Sequence, residues 1–371
     1  MTSAEAGGAR ALPPIGVVGT GLIGTSIALA AARLGHPVRG HDADPGTLAR
    51  SAARARFEPV VSAGACSQGA AIVFVCTPVP AIAEAAAACL AADTNTLVTD
   101  VGSIKSQVLV EVEARAGRGR AGRFVGGHPM AGSERAGPEA ASAAVFDGAA
   151  WILTPRDGNG EHVDRVATWI RGVGARPMVM DADRHDRLVA VVSHLPQVVS
   201  SALMALAARE HALDPDLLDL SAGGFRDLTR LAASSPPLWT DILRTNREAV
   251  VPALTRFVEA LVEIRDALEH ESPSGLERVL DEARAARLAL GTKPQVRAGV
   301  AVLQVAIPDR PGVLAQLTGA LATHDVNIED LQIVHSFEGG RGTAHLTVAA
   351  ELAEAAAGAL ASSGFDPVRL A

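Results

Sequence analysis

The chain has 371 residues, with 41 Asp and Glu against 33 Lys and Arg, a formal net charge of −8. That balance argues against a nucleic-acid or anionic-membrane partner. Hydrophobic residues make up 48%, enough for a sizeable core, and at about 150 residues per domain the length suggests two or three domains.

From Ile15 the pattern is strand, glycine turn, helix, strand. Ile15 to Val18 is a short apolar run, Ile27 to Leu34 suits a helix stopped by Gly35, and Val38 to Asp42 reads as a strand ending in an acid. Ala71 to Cys76 and Thr96 to Asp100 are further strands, closed by Thr77-Pro78 and by Val101-Gly102-Ser103. Trp151 to Leu153 and Pro177 to Met180 extend the series. The alternation predicts a parallel sheet with helices on both faces over residues 13–182. Residues 183–292 show helical periodicity, with one stripe of Leu188, Val191, Val192, Leu195 and Val199 and another of Leu243, Val250, Leu254, Phe257, Leu261 and Ile264. Apolar helices of this kind build dimer interfaces, so a homodimer is expected. Pro196 is expected to kink its helix. Residues 299–371 read β-α-β-β-α-β, a ferredoxin-like unit with a turn at Glu338-Gly339-Gly340.

Cys66, Cys76 and Cys89 have neither CxxC nor ligand spacing, and no His, Cys or carboxylate cluster does, so no metal is expected. The Ala/Gly-rich start has no apolar segment of a signal peptide, and no apolar run approaches the roughly 18 residues of a membrane span. A cytoplasmic protein without disulfides and without a membrane partner is expected.

Gly19-Thr20-Gly21-Leu22-Ile23-Gly24 follows a strand and opens a helix, and Asp42 lies about 20 residues on. The glycines let backbone approach a pyrophosphate at a helix N-terminus. Asp42 can accept from a ribose diol and would repel a 2′-phosphate, which favours NAD over NADP; Arg39 on the same strand is the one feature that could rescue NADP. Gly127-His128-Pro129-Met130-Ala131-Gly132-Ser133-Glu134 then puts a histidine on what reads as a Gly/Pro loop, where a neutral imidazole can take a hydroxyl proton while the nicotinamide takes a hydride. His194, in Ser193-His194-Leu195-Pro196-Gln197, reads more readily as a structural helix histidine. Among Arg226, Asp227 and Arg230, one arginine pairs with the acid and the other can clamp a substrate carboxylate.

The runs VGTGLIGTSIA, DVGSIK, GGHPMAGSE, SHLPQ and GGFRDLTR together resemble the prephenate dehydrogenase family, and IPDRPGVLAQLTGAL with NIEDLQI resembles an ACT domain. The resemblance implies a Rossmann domain, a helical dimerisation domain and a regulatory ACT domain. It also implies NAD-dependent oxidative decarboxylation of prephenate, a small-molecule substrate, to 4-hydroxyphenylpyruvate, or of arogenate to tyrosine. Carried over by position, His128 is the catalytic histidine, Ser103 bridges the substrate hydroxyl and the nicotinamide, and Arg230 holds a carboxylate. Lys105, Glu134, His194, Gln197, Asp227 and Trp239 are expected around the substrate, and Thr77 and Pro78 join the fingerprint residues around the cofactor. Gln197 stands where the family commonly has histidine, which leaves prephenate and arogenate both open. An amino-acid effector is expected at Asp309, Gly312, Val313 and Asn327. Two rival readings are another Rossmann dehydrogenase acting on hydroxy acids and a non-catalytic amino-acid sensor.

Overall fold

The computed structural model describes residues 12–131, 137–290, 299–308, 310–335 and 341–370. They fall into two compact units: the residues up to Leu203 with Leu231–Arg256, and Met204–Arg230 with the residues from Phe257 onward.

The first unit is built on an eight-stranded sheet: β1 (Ile15–Val18), β2 (Val38–His41), β3 (Glu58–Pro59), β4 (Ile72–Val75), β5 (Leu97–Asp100), β6 (Phe124–Pro129), β7 (Ala150–Thr154) and β8 (Arg176–Val179). Their order is β3-β2-β1-β4-β5-β6-β7-β8. β1, β4 and β5 are buried along their whole length, as befits parallel strands covered on both faces. Helices Leu22–Arg33 and Gly160–Gly172 cover one face, around Phe74, Trp151 and Trp169. Helices Val79–Ala92 and Ser106–Ala116 cover the other. β1 lies between β2 and β4, so the chain winds away from it in both directions, and the crevice at the carboxyl ends of β1 and β4 is where such sheets bind ligands.

The expected parallel sheet holds except at one pair. β6 and β7 run antiparallel, with His128 opposite Ile152. Between them the described residues form only the short 3-10 turns Pro138–Ala140 and Ala143–Phe146, so no helix carries the chain across for a parallel return. His128 therefore sits on a strand, not on a loop. The glycines before it serve close approach: a Cβ on Gly127 would lie 2.4 Å from the Asp100 carbonyl oxygen, and one on Gly126 2.2 Å from Thr154 Oγ1.

The helix from Ala182 to His211 has two features of note. Ala190–His194 forms a π turn, just ahead of the residue whose missing N–H and bulky ring disfavour regular helix, Pro196. The predicted apolar stripe also faces outward: Leu188, Val191 and Val192 are exposed, while His185, Asp186, Val189, Ala190, His194, Gln197 and Ser200 are buried. By length and composition this helix could cross a membrane, contrary to the sequence reading. Its hydrogen-bonded charged and polar residues make that costly and suit a packed protein surface instead.

In the second unit, β9 (Val300–Pro308), β10 (Asp330–His335), β11 (Arg341–Ala349) and β12 (Pro367–Leu370) form an antiparallel sheet in the order β10-β11-β9-β12. Helices Val313–Ala322 and Ala353–Ser362 pack on it around Leu303, Val305, Leu317, Leu346 and Leu360. This is the expected βαββαβ order; the expected turn at 338–340 lies outside the described residues.

Candidate active site

The fingerprint glycines are held as a dinucleotide requires. Gly19 has φ +88°, and a Cβ there would meet the Cys76 carbonyl at 2.7 Å. A Cβ on Gly24 would lie 1.9 Å from the Gly19 oxygen, so strand, turn and helix close up only with glycine. Gly21 is the N-cap of helix Leu22–Arg33 and faces open space, leaving the first N–H groups of Leu22 and Ile23 approachable. Across the crevice Thr77 and Pro78 follow β4, and Thr77 Oγ1 is buried with no partner among the described residues. These features fit a dinucleotide. Asp42 Oδ2 accepts from Thr20 N at 2.6 Å and from Thr20 Oγ1 at 3.1 Å, which ties the acid to the glycine turn. Arg39, the residue that could have favoured NADP, instead pairs with Glu58 and donates to the Gln68 carbonyl.

Ser103 follows β5 and His128 ends β6, both at the carboxyl edge that carries the glycine turn. Behind His128 stands a hydrogen-bonded chain. His128 Nδ1 lies 2.9 Å from His185 Nε2, and His185 Nδ1 lies 2.8 Å from Asp186 Oδ1. Asp186 also accepts from Lys105 N and Ser106 N, at 2.9 and 2.8 Å. Burial pushes its carboxyl up, but the bonds from His185, Ser106 and Lys105 outweigh that and hold it below its ordinary range. Burial, with help from neighbouring His185 and Lys105, depresses the His128 imidazole well below its usual value, so the ring is neutral at ordinary pH. Burial likewise brings His194 down to about 4.

His185, Asp186 and Asn246 were not foreseen from the sequence. The one signal was a His-Asp pair in the first turn of a helix whose polar face turns inward. Asn246 Nδ2 donates to the Asp186 carbonyl at 2.9 Å and lies 3.1 Å from His194 Nδ1. Trp239 stacks edge-on to His194 with ring centroids 6.0 Å apart. Gln197 is buried beside them; its Nε2 donates to the Leu231 carbonyl at 2.9 Å and to Ser201 Oγ at 3.2 Å, while Oε1 has no partner among the described residues.

Lys105 departs from expectation. It presents no surface to a substrate, being fully buried, with Nζ paired to Asp100 and donating to the Gly127 carbonyl at 2.7 Å. Burial pulls its ammonium below the usual range and Asp100 opposes that pull. Glu134 and Asp309 lie outside the described residues. Asp227 and Arg230 are exposed and belong to the second unit, Asp227 in helix Gly223–Thr229 and Arg230 at the start of the following 3-10 turn. There too, Gly312 and Val313 line a 330 Å³ pocket with Ile307, Pro308, Arg310 and Ile333. Asn327 is not part of that lining; its Nδ2 donates to Glu329.

The Lys105–Asp100 pair gives a direct test. Lys105→Met strands a buried carboxylate and is expected to lower stability by about 3–5 kcal/mol, read as a shifted urea midpoint at unchanged slope. Adding Asp100→Asn should recover part of the loss; a single variant as stable as wild type would show that the pair holds nothing in place.

Comparison with known proteins agrees with this architecture. Residues 27–179 match the model of the prephenate dehydrogenase nucleotide-binding domain, 181–282 that of the prephenate dehydrogenase dimerization domain, and 301–362 that of the ACT domain. The chain is 30% identical to a prephenate dehydrogenase of Lactococcus lactis over 85% of its own length and 88% of the relative's. It is 32% identical to a cyclohexadienyl dehydrogenase of Zymomonas mobilis over 76% and 98%. A match at 32% to the Bacillus subtilis prephenate dehydrogenase spans 65% of each chain. The crystal structure of Aquifex aeolicus prephenate dehydrogenase, in complex with hydroxyphenyl propionate and NAD+, superposes with TM-score 0.70 at 29% identity, covering 76% of this chain and 99% of that one. Fold, motif order and near-complete coverage coincide, and the chain belongs to the prephenate dehydrogenase family of oxidoreductases.

Proposed function

We propose that this chain is an NAD-dependent dehydrogenase that converts prephenate to 4-hydroxyphenylpyruvate and CO2, with His128 as the base on the ring hydroxyl. The observation that carries the reading is His128 itself: a neutral imidazole with an accessible edge, on the strand end beside the dinucleotide crevice. Gly19, Gly21, Leu22, Ile23 and Gly24 would hold the pyrophosphate, Asp42 the ribose diol, and Thr77, Pro78 and Ser103 the nicotinamide side. NAD, when bound, supplies the hydride acceptor.

The chain's own residues have a short task. Ser103 and His128 hold the ring hydroxyl, which fixes the carbon that gives up hydride, and Arg230 carries the carboxylate-binding role that the family motif implies for it. His128 borrows the hydroxyl proton as the C–H electron pair leaves. The C–C bond to the ring carboxylate then breaks, its electron pair completes the aromatic ring, and the proton returns to the phenolic oxygen. No net proton is released, so His128 needs no route to solvent. General-base help is typically worth 10²–10⁴-fold, and His128→Asn is expected to cut kcat by about that factor while NAD affinity stays nearly constant. Activity within about threefold of wild type would remove His128 from this role.

Gln197 bears on the substrate's side chain. With its amide N–H groups committed to Leu231 and Ser201, it offers an acceptor oxygen, which suits the ammonium of arogenate and gives the keto oxygen of prephenate no donor. Turnover of arogenate alongside prephenate is expected. Gln197→His should shift the ratio of the two kcat/KM values toward prephenate by about tenfold, the worth of one hydrogen bond to a charged group; an unchanged ratio assigns specificity elsewhere.

The family's dimerization domain and the exposed Leu188, Val191 and Val192 support a homodimer formed through the helical segment. Free Cys66, Cys76 and Cys89 support work in a reducing cytoplasm. The 330 Å³ pocket beside Gly312, a helix N-cap, suits an amino acid, with tyrosine the first candidate. Tyrosine is expected to alter the rate by a coupling of about 1–3 kcal/mol and to lose that effect when residues 296–371 are removed. Equal inhibition of the truncated chain would place tyrosine at the active site instead.

A further inference from the structure

The substrate chemistry needs one base, yet two buried side chains from a distant helix line up behind it. His128 comes from the end of β6, His185 and Asp186 from the first turns of the helix that starts at Ala182, and the N–H groups that hold Asp186 from the start of helix Ser106–Ala116. We propose that His185 and Asp186 are positioning residues for the dehydrogenation: they hold neutral His128 as its Nδ1–H tautomer, leave Nε2 as the single basic atom toward the substrate, and share the charge of the proton borrowed there. The inference rests on the reading of His128 as the base.

The direction of the chain follows from what each group can do. An ionised carboxylate only accepts, and Asp186 accepts from two backbone N–H groups besides the ring. His185 Nδ1 must therefore carry a proton and donate. In a neutral ring that leaves His185 Nε2 bare, so it accepts, and the donor 2.9 Å away is His128 Nδ1–H. His128 Nε2 then carries only a lone pair. Reversed tautomers would put N–H at Nε2 and remove the base.

The same chain answers an electrostatic need. A proton on His128 creates a cation out of water, against any charge on His185 and near Lys105 and His194, and each of these opposes it. Lys105 is matched by Asp100, and Asp183, which accepts from Ser106 Oγ, is exposed. The buried negative charge on the path from His128 is Asp186, one imidazole away. Because the borrowed proton returns to the product, the chain has to accommodate charge for the duration of the step and has nothing to export.

The test has two arms. In the wild-type protein labelled with 15N-histidine, with His128→Asn used to assign the signals, His128 is expected to show a protonated Nδ1 and a bare Nε2 at neutral pH; a bare Nδ1 overturns the proposal. Asp186→Asn puts an amide where two backbone N–H groups must be accepted, so its NH2 turns toward His185 and reverses both tautomers. This variant is expected to lose about 10²-fold or more in kcat while KM and NAD affinity stay within about threefold, and its residual kcat/KM should hold to lower pH before falling, since His128 has lost the anion that favours its protonation. A kcat within about threefold of wild type overturns the proposal, as does a uniform loss of NAD binding, KM and kcat together, which marks a merely structural role. Should the variant not fold, the wild-type spectrum still decides. If the wild-type enzyme does not oxidise prephenate or arogenate, the functional reading fails, and the tautomer measurement remains a separate result.

Discussion

The structure of the site depends on one buried ion pair. Asp100 ends β5 and accepts from Gly102 N, Gly127 N and Lys105 Nζ; Lys105 in turn donates to the Gly127 carbonyl. Both backbone groups of Gly127 are thereby clamped from one side, and His128 follows directly. A buried pair of this kind contributes little net stability, because desolvating two charges offsets their attraction. Its value lies in position. Breaking either half leaves an uncompensated charge, so alternatives in which β6 slides or twists are penalised. The glycines at 126 and 127 make the clamp possible, since a Cβ at either position would collide with the partner strands.

Around this strut the charges are arranged so that the neutral histidines stay neutral. Burial depresses both His128 and His194 while Asp186 is kept ionised by donors. The sign for stability follows. In the unfolded chain these histidines bind protons near 6.5, whereas folded they do so only at lower pH. Between those limits the unfolded state holds more protons, so the fold weakens as pH falls below about 6.5 and is unaffected by this effect above it. The depressed imidazole that makes a base available at neutral pH thus narrows the acid tolerance of the fold.

Much of this was legible in the sequence, for local reasons. The glycine fingerprint, the strand ends at Thr77 and Ser103, and the acid at Asp42 are each set by short-range rules of turn and strand chemistry. The βαββαβ order of the tail is equally local. What escaped was decided by packing. The antiparallel pairing of β6 with β7 goes with a connection that holds only 3-10 turns among the described residues, which short apolar runs do not reveal. The helix from Ala182 was read for its apolar stripe, as a helix that builds a dimer interface. Its polar face is buried, with His185, Asp186, His194 and Gln197 in contact with polar partners there, and its apolar face is left outward. Attention to the apolar face passed over His185 and Asp186, and Lys105 was misplaced for a separate reason: its position is fixed by Asp100 in space and not by its neighbours in sequence.

The cofactor end shows the same coupling of recognition to scaffold. Asp42 was read as an acid that selects a ribose diol. The structure also bonds it to the backbone and hydroxyl of Thr20, inside the glycine turn that approaches the pyrophosphate. Ribose recognition and phosphate recognition are therefore one mechanical unit. A substitution at Asp42 made to admit a 2′-phosphate would remove the repulsion and loosen the turn at once, so affinity for either cofactor would fall with the gain in tolerance. Arg39 is in no position to compensate while Glu58 and the Gln68 carbonyl hold its guanidinium. Cofactor preference in this chain is thus carried by the fold of the first turn as much as by the charge of one carboxylate.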